Sequence, residues 1–90
     1  MDIVFDTAKR SLTLEHRGLD SADAAKIFSG RCFTAEDDRQ DYEEVRYITV
    51  GLLDGRMLVM VWTPRGNARR IISMRKANER EQDFYGWRLG

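Results

Sequence analysis

Met57-Leu58-Val59-Met60-Val61-Trp62-Thr63 is the stretch that decides the fold, because nearly every residue in it is apolar. A short, continuous apolar run is typical of a central strand that is covered on both faces. Asp54-Gly55, just before it, is a strong hairpin signal. Pro64-Arg65-Gly66-Asn67, just after it, predicts a second turn. We therefore expect this run to be the middle strand of an antiparallel meander.

Four further strands are predicted around the central one. Residues 45–52 alternate between two faces, which indicates a strand with one side buried. Residues 68–74 contain the β-branched pair Ile71-Ile72 and complete the meander. Residues 31–34 predict a fourth strand, and the apolar residues 3–5 predict a strand at the edge of the sheet.

Three segments have the character of helices: residues 8–16 and 22–28, which follow capping residues, and residues 76–85, which contain no glycine or proline. The element order β-α-α-β-β-β-β-α predicts an α+β fold with a mainly antiparallel sheet of four to five strands. Two helices precede most of the sheet and one follows it. We expect the helices to gather on one side, so that the other sheet face can bind a ligand.

Composition narrows the class of protein. Ninety residues predict a single domain, residues 1–90, with one modest core. The chain has one cysteine, Cys32, and one histidine, His16, so an internal disulfide and a cysteine or histidine metal cluster are excluded and no cofactor is predicted. The sequence has neither a run of eighteen apolar residues nor the features of a signal peptide, which predicts a cytoplasmic location.

Charge is distributed unevenly along the chain although the net charge is zero. Residues 1–45 carry six Lys and Arg against eleven Asp and Glu, or −5, whereas residues 46–90 carry nine against four, or +5. The acidic residues concentrate between Glu36 and Glu44, where we expect a loop. The basic half is suited to nucleic acid, and the asymmetry also suits a charged protein partner.

The most basic segment runs from Arg69 to Arg80 and holds five Arg and Lys residues. Arginine stays charged and presents a planar fork that matches phosphate oxygens. Arg70 and Arg75 are therefore the best candidates for phosphate contacts. Because they are five residues apart, a straight strand would place them on opposite faces, and they converge only if the chain bends near residues 74–76. The alternative is that each is an ion pair with a carboxylate such as Glu81.

Acid–base chemistry at a bound phosphate needs a group to take a proton, a group to give one, and cations at the phosphate. Histidine suits either proton transfer, and His16 is the only one. Glu81 and Tyr85 are four residues apart on the last predicted helix and so share a face. His16 could equally be a cation placed at the C-terminal end of the first helix.

Other basic and aromatic residues complete the set of candidates. Arg17 and Arg46 are candidates for the same site, whereas Arg69 and Arg80 are expected to contribute general attraction for RNA, with Tyr85 as a further RNA contact. Trp62 could stack on a base, but its apolar strand favours core packing.

These features occur together in an order that resembles the BrnT family of ribonuclease toxins. The resemblance covers nearly the whole length, and this chain has His16-Arg17-Gly18 where the family commonly has Lys-His-Gly. The segments that carry it are Phe5-Asp6-x-x-Lys9, Leu14-Glu15-His16-Arg17-Gly18-Leu19-Asp20, residues 24–28, Asp38-Arg39 with Tyr42, Glu44 and Arg46, and Arg70-Ile71-Ile72-Ser73-Met74-Arg75-Lys76-Ala77 with Glu81 and Tyr85.

The resemblance implies a RelE-like fold, metal-independent cleavage of RNA, and inhibition of growth. It also implies neutralisation by a co-encoded, BrnA-like antitoxin of the ribbon–helix–helix type, in a heterotetramer that contacts DNA only through the antitoxin. The candidate catalytic residues are His16, Arg17, Arg46, Arg70, Arg75 and Glu81. The alternative from the residues alone is a non-catalytic module that binds RNA or protein on the same basic face.

Overall fold

The computed structural model describes residues 2–39 and 43–89. Part of the predicted acidic loop and Tyr42, which contributes to the resemblance, lie outside these residues. Within the described part of the chain, no helix is long and apolar enough to cross a lipid bilayer.

Five strands form one mixed sheet in the order β1-β5-β4-β3-β2. Strands β2 to β5 are an antiparallel meander, and β1 pairs in parallel with β5 at the edge. The predicted sheet and its edge strand are therefore confirmed. The strands are β1 (Asp2–Phe5), β2 (Cys32–Glu36), β3 (Tyr47–Leu53), β4 (Arg56–Arg65) and β5 (Ala68–Lys76).

Two helices, α1 (Thr7–Arg17) and α2 (Ala24–Ser29), follow β1. The Asp6 carboxylate caps α1 by accepting a hydrogen bond of 3.0 Å from the Lys9 N–H. Gly18 ends the helix with φ of 66°, a left-handed conformation that glycine adopts without strain. The first turn of the second predicted helix is instead a short 3₁₀ turn that precedes α2.

The C-terminal helix, α3, spans Glu79–Leu89, so the prediction that it begins at residue 76 is wrong. Lys76 still pairs with Leu58 at the end of β5. The helix begins instead at a reciprocal cap: Asn78 Oδ1 accepts from the Glu81 N–H (2.8 Å), and Glu81 Oε1 accepts from the Asn78 N–H (2.9 Å). This cap fixes the distance between the end of β5 and the first turn of α3.

The helices do not gather on one side of the sheet, contrary to expectation. The segment containing α2 packs Leu19, Ala24 and Ile27 against one face, where Trp62 and Met60 are buried. On the other face, Leu89 of α3 and Ala77 just before the helix join a second cluster with Val50, Met57 and Val59. Because α3 covers only part of this second face, polar side chains of the sheet stay accessible beside it.

Candidate functional site

A β-bulge interrupts the pairing of β4 with β5. Val61 pairs with Ser73 whereas its neighbour Trp62 pairs with Ile71, so Ile72 is an extra residue on β5. An extra residue breaks the strict alternation of side chains along the bulged strand. Every residue of β5 after Ile72 therefore lies on the face opposite to the one that a regular strand would give it.

The bulge brings Arg70 and Arg75 to the same face. Arg70 lies opposite Thr63, and Arg75 lies opposite Val59; Thr63 and Val59 are four residues apart on β4 and so share a face. The sequence analysis expected convergence only through a bend at residues 74–76. The expected position of the bend was wrong, because the change of face takes place at Ile72, inside β5.

Arg75 lies in a cleft of about 340 Å³ between α3 and the sheet. Strands β3 and β4 form its apolar floor. We call this site the basic cleft and define it by its polar lining residues, Arg39, Ser73, Arg75, Glu81 and Tyr85. Glu81 and Tyr85 therefore share the helix face that approaches the basic strand.

Glu81 holds Arg75 through two charge-assisted hydrogen bonds. Arg75 Nη1 donates to Oε1 at 2.7 Å and Nη2 donates to Oε2 at 2.8 Å. These two bonds are the main reason that the pKa of Glu81 is lowered to about 2. Burial of the carboxylate acts in the opposite direction, and the hydrogen bond from the Asn78 N–H lowers the pKa further. The same hydrogen bonds raise the pKa of Arg75. A carboxylate with so low a pKa is a weak base, so Glu81 is better suited to orienting Arg75 than to moving a proton.

Arg70 differs from Arg75 because its guanidinium makes no ion pair or side-chain hydrogen bond within residues 2–39 and 43–89. It is half-buried. The pKa of Glu44 is lowered mainly by a hydrogen bond from Arg65 and further by the charges of Arg65, Arg46 and Arg70. Arg46 and Arg70 therefore both lie near Glu44, on the part of the sheet face that α3 leaves open.

Two residues of the basic cleft were not among the predicted site residues. Arg39 donates two hydrogen bonds, of 2.7 and 2.8 Å, to the fully buried carboxylate of Asp37. The positive charge of Arg39 acts to lower the pKa of Arg75. The two guanidinium groups must therefore lie near each other. Ser73 comes into the cleft because of the bulge. Both belong to segments that carried the family resemblance, which is the signal that could have identified them.

His16 and Arg17 lie in a different cleft, of about 410 Å³, between α1 and β5. Strand β1 pairs with β5 only as far as Ile71, so the edge of β5 is open beyond that point. Arg17 Nη1 reaches this edge and donates a hydrogen bond of 2.7 Å to the carbonyl of Met74. We call this site the α1 cleft; its lining residues are Lys9, Leu12, Thr13, His16, Arg17, Ile72 and Ser73. Ser73 lines both clefts, so the two adjoin.

Arg69, Arg80 and Trp62 line neither of these clefts. Arg69 lies on the opposite sheet face, with its guanidinium carbon 4.1 Å from the ring centre of Phe28 and 4.7 Å from that of Trp62. Arg80 is exposed on the first turn of α3. Trp62 is buried and donates a hydrogen bond of 2.8 Å from Nε1 to Thr49 Oγ1, as its apolar strand predicted.

An exposed aromatic patch adjoins the basic cleft. Phe33, Phe84 and Trp87 are 46, 55 and 75 % exposed. Tyr85, which lines the basic cleft, contacts Phe33 with ring centres 5.8 Å apart and Phe84 with ring centres 4.8 Å apart. The Arg88 guanidinium carbon lies 4.3 Å from the ring centre of Phe84 and 4.5 Å from that of Trp87, so Trp87 lies beside Phe84. We call Phe33, Phe84 and Trp87 the aromatic patch; exposed apolar groups that lie together commonly mark an interface.

In the described part of the chain, no three His, Cys, Asp or Glu side chains come together in a way that could hold a metal ion. The donors available at the basic cleft are guanidinium, hydroxyl and phenol groups. Such groups bind anions and stabilise negative charge.

The family model described as "Ribonuclease toxin, BrnT, of type II toxin-antitoxin system" matches residues 5–81 of the chain. Comparison with curated proteins gives no match. The matched region includes both Arg70 and Arg75 and ends at Glu81. It therefore contains the bulge and the ion pair of the basic cleft, whereas Tyr85 and most of the aromatic patch lie beyond it.

Proposed function

The chain belongs to the BrnT family of ribonuclease toxins of type II toxin–antitoxin systems, and we propose that it is itself a metal-independent endoribonuclease that inhibits growth when no antitoxin covers it. The observation that carries the proposal is the bulge at Ile72. It places an arginine without an ion pair in the described structure, Arg70, on the same sheet face as an arginine held rigidly by a carboxylate, Arg75.

The reaction is transfer of a phosphoryl group within the RNA. The 2′-oxygen attacks the adjacent phosphorus and passes its proton to solvent water, while the bond from phosphorus to the 5′-oxygen breaks and that oxygen gains a proton. The products are a 2′,3′-cyclic phosphate and a 5′-hydroxyl. Negative charge develops on the phosphate oxygens in the transition state, and fixed cations lower the barrier by stabilising it.

The two arginines have different roles in this reaction. Arg70 attracts and neutralises the phosphate, with Arg46 close by to strengthen the local positive potential. Arg75 uses two of its five N–H donors on Glu81 and a third on the Lys76 carbonyl at 3.4 Å, so its orientation is fixed before RNA binds and its other two donors can contact the phosphate. Glu81 is thus a positioning residue.

His16 is proposed to transfer the proton to the 5′-oxygen. Histidine ordinarily titrates near neutral pH, and His16 is the only histidine of the chain. It reaches the reaction from the α1 cleft, which adjoins the basic cleft at Ser73. The leaving nucleoside would therefore lie on the α1 side.

The test is cleavage of end-labelled RNA by the purified chain in the presence of EDTA. We expect fragments with 2′,3′-cyclic phosphate ends by mass spectrometry and no cleavage of the 2′-O-methylated RNA. Arg70→Gln should reduce the rate by roughly a hundredfold, since removing a transition-state donor typically has an effect of that size. Arg56→Gln, an exposed arginine at the start of β4, is the matched control and should keep full activity.

Three results would contradict the proposal. Binding of RNA without cleavage would favour the non-catalytic RNA-binding module. Activity that is lost in EDTA and restored by a divalent ion would overturn the metal-independent mechanism. Equal loss of activity in the Arg70 and Arg56 variants would show that cleavage depends on overall charge and not on the sheet face that Arg70 shares with Arg75.

We further propose that a co-encoded antitoxin of the ribbon–helix–helix type neutralises the chain, in a heterotetramer, by covering the basic cleft together with the aromatic patch. Tyr85 joins these two surfaces because it lines the cleft and contacts Phe33 and Phe84. Trp87 is the most exposed large apolar residue described. Large aromatic side chains of this kind often supply much of the binding energy of an interface.

Co-expression with the neighbouring reading frame tests this arrangement. Trp87→Asp should reduce the amount of antitoxin that copurifies, without changing the activity of the chain alone. Leu14→Asp, an equally drastic change at an exposed apolar residue of α1, is the control and should leave the complex intact. If Leu14→Asp weakens the complex and Trp87→Asp does not, the antitoxin binds elsewhere.

A further inference from the structure

The α1 cleft has a composition that distinguishes it from the basic cleft. Three basic side chains, Lys9, His16 and Arg17, line it, and no carboxylate does. In the basic cleft, by contrast, Glu81 neutralises Arg75. A cavity whose ionisable lining residues are all basic is suited to an anion.

The charges in the α1 cleft are not neutralised by ion pairs within the described residues. In the described structure the Arg17 side chain donates one hydrogen bond, to the carbonyl of Met74. Because this carbonyl is neutral, the positive charge of Arg17 can still interact with an anion. Lys9 and His16 have no side-chain ion pair in the described structure. The carboxylate of Asp6, which accepts from the backbone N–H of Lys9, lies near enough for the charges of Arg70 and Lys9 to help lower its pKa, but it does not line the cleft.

The position of the cleft relates it to the proposed reaction. Its wall is shared with the basic cleft at Ser73, and Arg17 is bound to the carbonyl next to Arg75 along the strand. One nucleic acid strand can therefore place successive phosphates in the two clefts. Leu12, which is 54 % exposed at the cleft, offers apolar surface to the sugar or base between them.

The proton transfer proposed for His16 fixes the direction of the strand. The 5′-oxygen that leaves belongs to the nucleotide on the 3′ side of the cleaved bond. If His16 protonates that oxygen from the α1 cleft, the 3′ nucleotide must lie there too.

We propose that the α1 cleft is a subsite for the RNA phosphate on the 3′ side of the cleaved bond, with Lys9 and Arg17 as its ligands. This inference rests on the proposed function for the direction of the RNA. The presence of a phosphate in the cleft can be tested without cleavage.

The first experiment measures binding alone. Single-stranded 2′-O-methylated RNA is titrated with the full chain over a range of salt concentrations by fluorescence anisotropy. Loss of one phosphate contact should reduce the slope of log K against log salt by about 0.7 for Lys9→Gln. Lys26→Gln, an exposed lysine of α2, is the matched control and should leave the slope unchanged. An unchanged slope in Lys9→Gln overturns the subsite, whether or not the chain cleaves RNA.

The second experiment fixes the direction. DNA oligonucleotides with one ribonucleotide are cleaved only beside that ribose, so neighbouring phosphates can be replaced one at a time by neutral methylphosphonates. We expect the 3′ replacement to lower kcat/KM several-fold in the wild-type chain and to have little further effect in Lys9→Gln, because the two changes remove the same contact. Replacement on the 5′ side should act equally on both.

Two outcomes would overturn the assignment here. Additive effects of the 3′ methylphosphonate and Lys9→Gln would show that they act at different places. Weaker binding of the antitoxin by Lys9→Gln, with an unchanged salt dependence of RNA binding, would assign the cleft to the protein partner. If the wild-type chain cleaves neither these oligonucleotides nor unmodified RNA although the first experiment shows the expected slope, the phosphate subsite stands and the proposed function fails.

Discussion

Glu81 binds both terminal nitrogens of Arg75 and, through one of the same oxygens, the backbone N–H of Asn78. One carboxylate therefore joins the end of β5 to the first turn of α3. The guanidinium cannot change its orientation without disturbing the start of the helix. This coupling is what allows Arg75 to be rigid although it lies at a partly exposed position.

Glu81→Gln should separate positioning from folding. Glutamine keeps an oxygen for the Asn78 N–H but loses the charge that holds Arg75. We expect the free energy of unfolding to fall by about 1 kcal/mol in urea titrations and kcat to fall by roughly tenfold. Asn78→Ala is the control: it removes the cap but keeps the ion pair, so it should lower stability by about 1 kcal/mol with most of kcat retained. An unchanged kcat in Glu81→Gln would contradict the positioning role.

Arg69 and Arg70 form a natural pair of test and control, because neighbouring residues of one strand lie on opposite faces. Arg70→Gln should lower cleavage by about a hundredfold with little change in stability. Arg69→Gln removes the contacts with Phe28 and Trp62, so it should lower the free energy of unfolding by about 1 kcal/mol and leave cleavage intact. Arg70→Gln should therefore lose activity and Arg69→Gln should lose stability. If Arg69→Gln instead loses activity and Arg70→Gln loses stability, the site lies on the sheet face of Arg69.

The strands were predictable because their signals are local. The apolar run of β4 and the Asp54-Gly55 turn each lie within a few residues, and Asp54 and Gly55 take the positive φ values of 51° and 80° that this turn needs. The start of α3 was missed for the opposite reason. Lys76 is compatible with a helix, but its pairing with Leu58 extends the strand, and long-range pairing outweighs local propensity.

The convergence of Arg70 and Arg75 could not be derived from the sequence. Ile71-Ile72-Ser73 contains no glycine, proline or other break that would signal a bulge. The bulge is defined by the partner strand β4: Val61 pairs with Ser73 and Trp62 pairs with Ile71, so Ile72 has no partner on β4. Sequence reasoning could name the candidate residues, but the faces on which they lie depend on this one shift of register.

Stability should decrease in acid because several carboxylates, Asp6, Asp20, Glu44 and Glu81 among them, have lowered pKa values in the folded chain. Hydrogen bonds from Arg10, above all, lower the pKa of Asp20 to about 2, and those from Arg75 lower that of Glu81 to about 2. The unfolded chain therefore binds more protons between about pH 5 and pH 2, so folding is favoured above this window and loses stability as the pH falls through it. Urea titrations of Asp20→Asn should show a flatter dependence on pH; Asp83→Asn, at an exposed position of α3, should follow the wild type.

Gly51 should not tolerate a side chain. A Cβ atom there would lie 2.6 Å from Ile27 Cγ2 and 3.2 Å from Cys32 Cβ, where α2 packs on β3. Gly51→Ala must push α2 away or distort β3, which should lower the free energy of unfolding by about 1–3 kcal/mol. Gly86→Ala, where an added Cβ meets nothing within 4 Å, is the control and should be neutral or slightly stabilising because alanine favours helix. Equal denaturation midpoints for the two variants would contradict this packing.

His16→Ala decides between the two interpretations of this residue. If His16 gives the proton to the 5′-oxygen, cleavage should fall by on the order of a hundredfold and the pH–rate profile should lose the limb on which the imidazole deprotonates. If His16 only places a cation in the last turn of α1, the variant should lose less than about 1 kcal/mol of stability and keep its rate. Glu15→Ala, at the neighbouring exposed position, controls for changes to the helix itself.

Because the leaving oxygen is the atom that His16 is proposed to protonate, a substrate with a 5′-sulfur leaving group, which needs no proton, should be cleaved almost as fast by His16→Ala as by the wild type. A variant that stays equally slow on both substrates would remove His16 from the reaction and, with it, the direction assigned to the RNA in the α1 cleft.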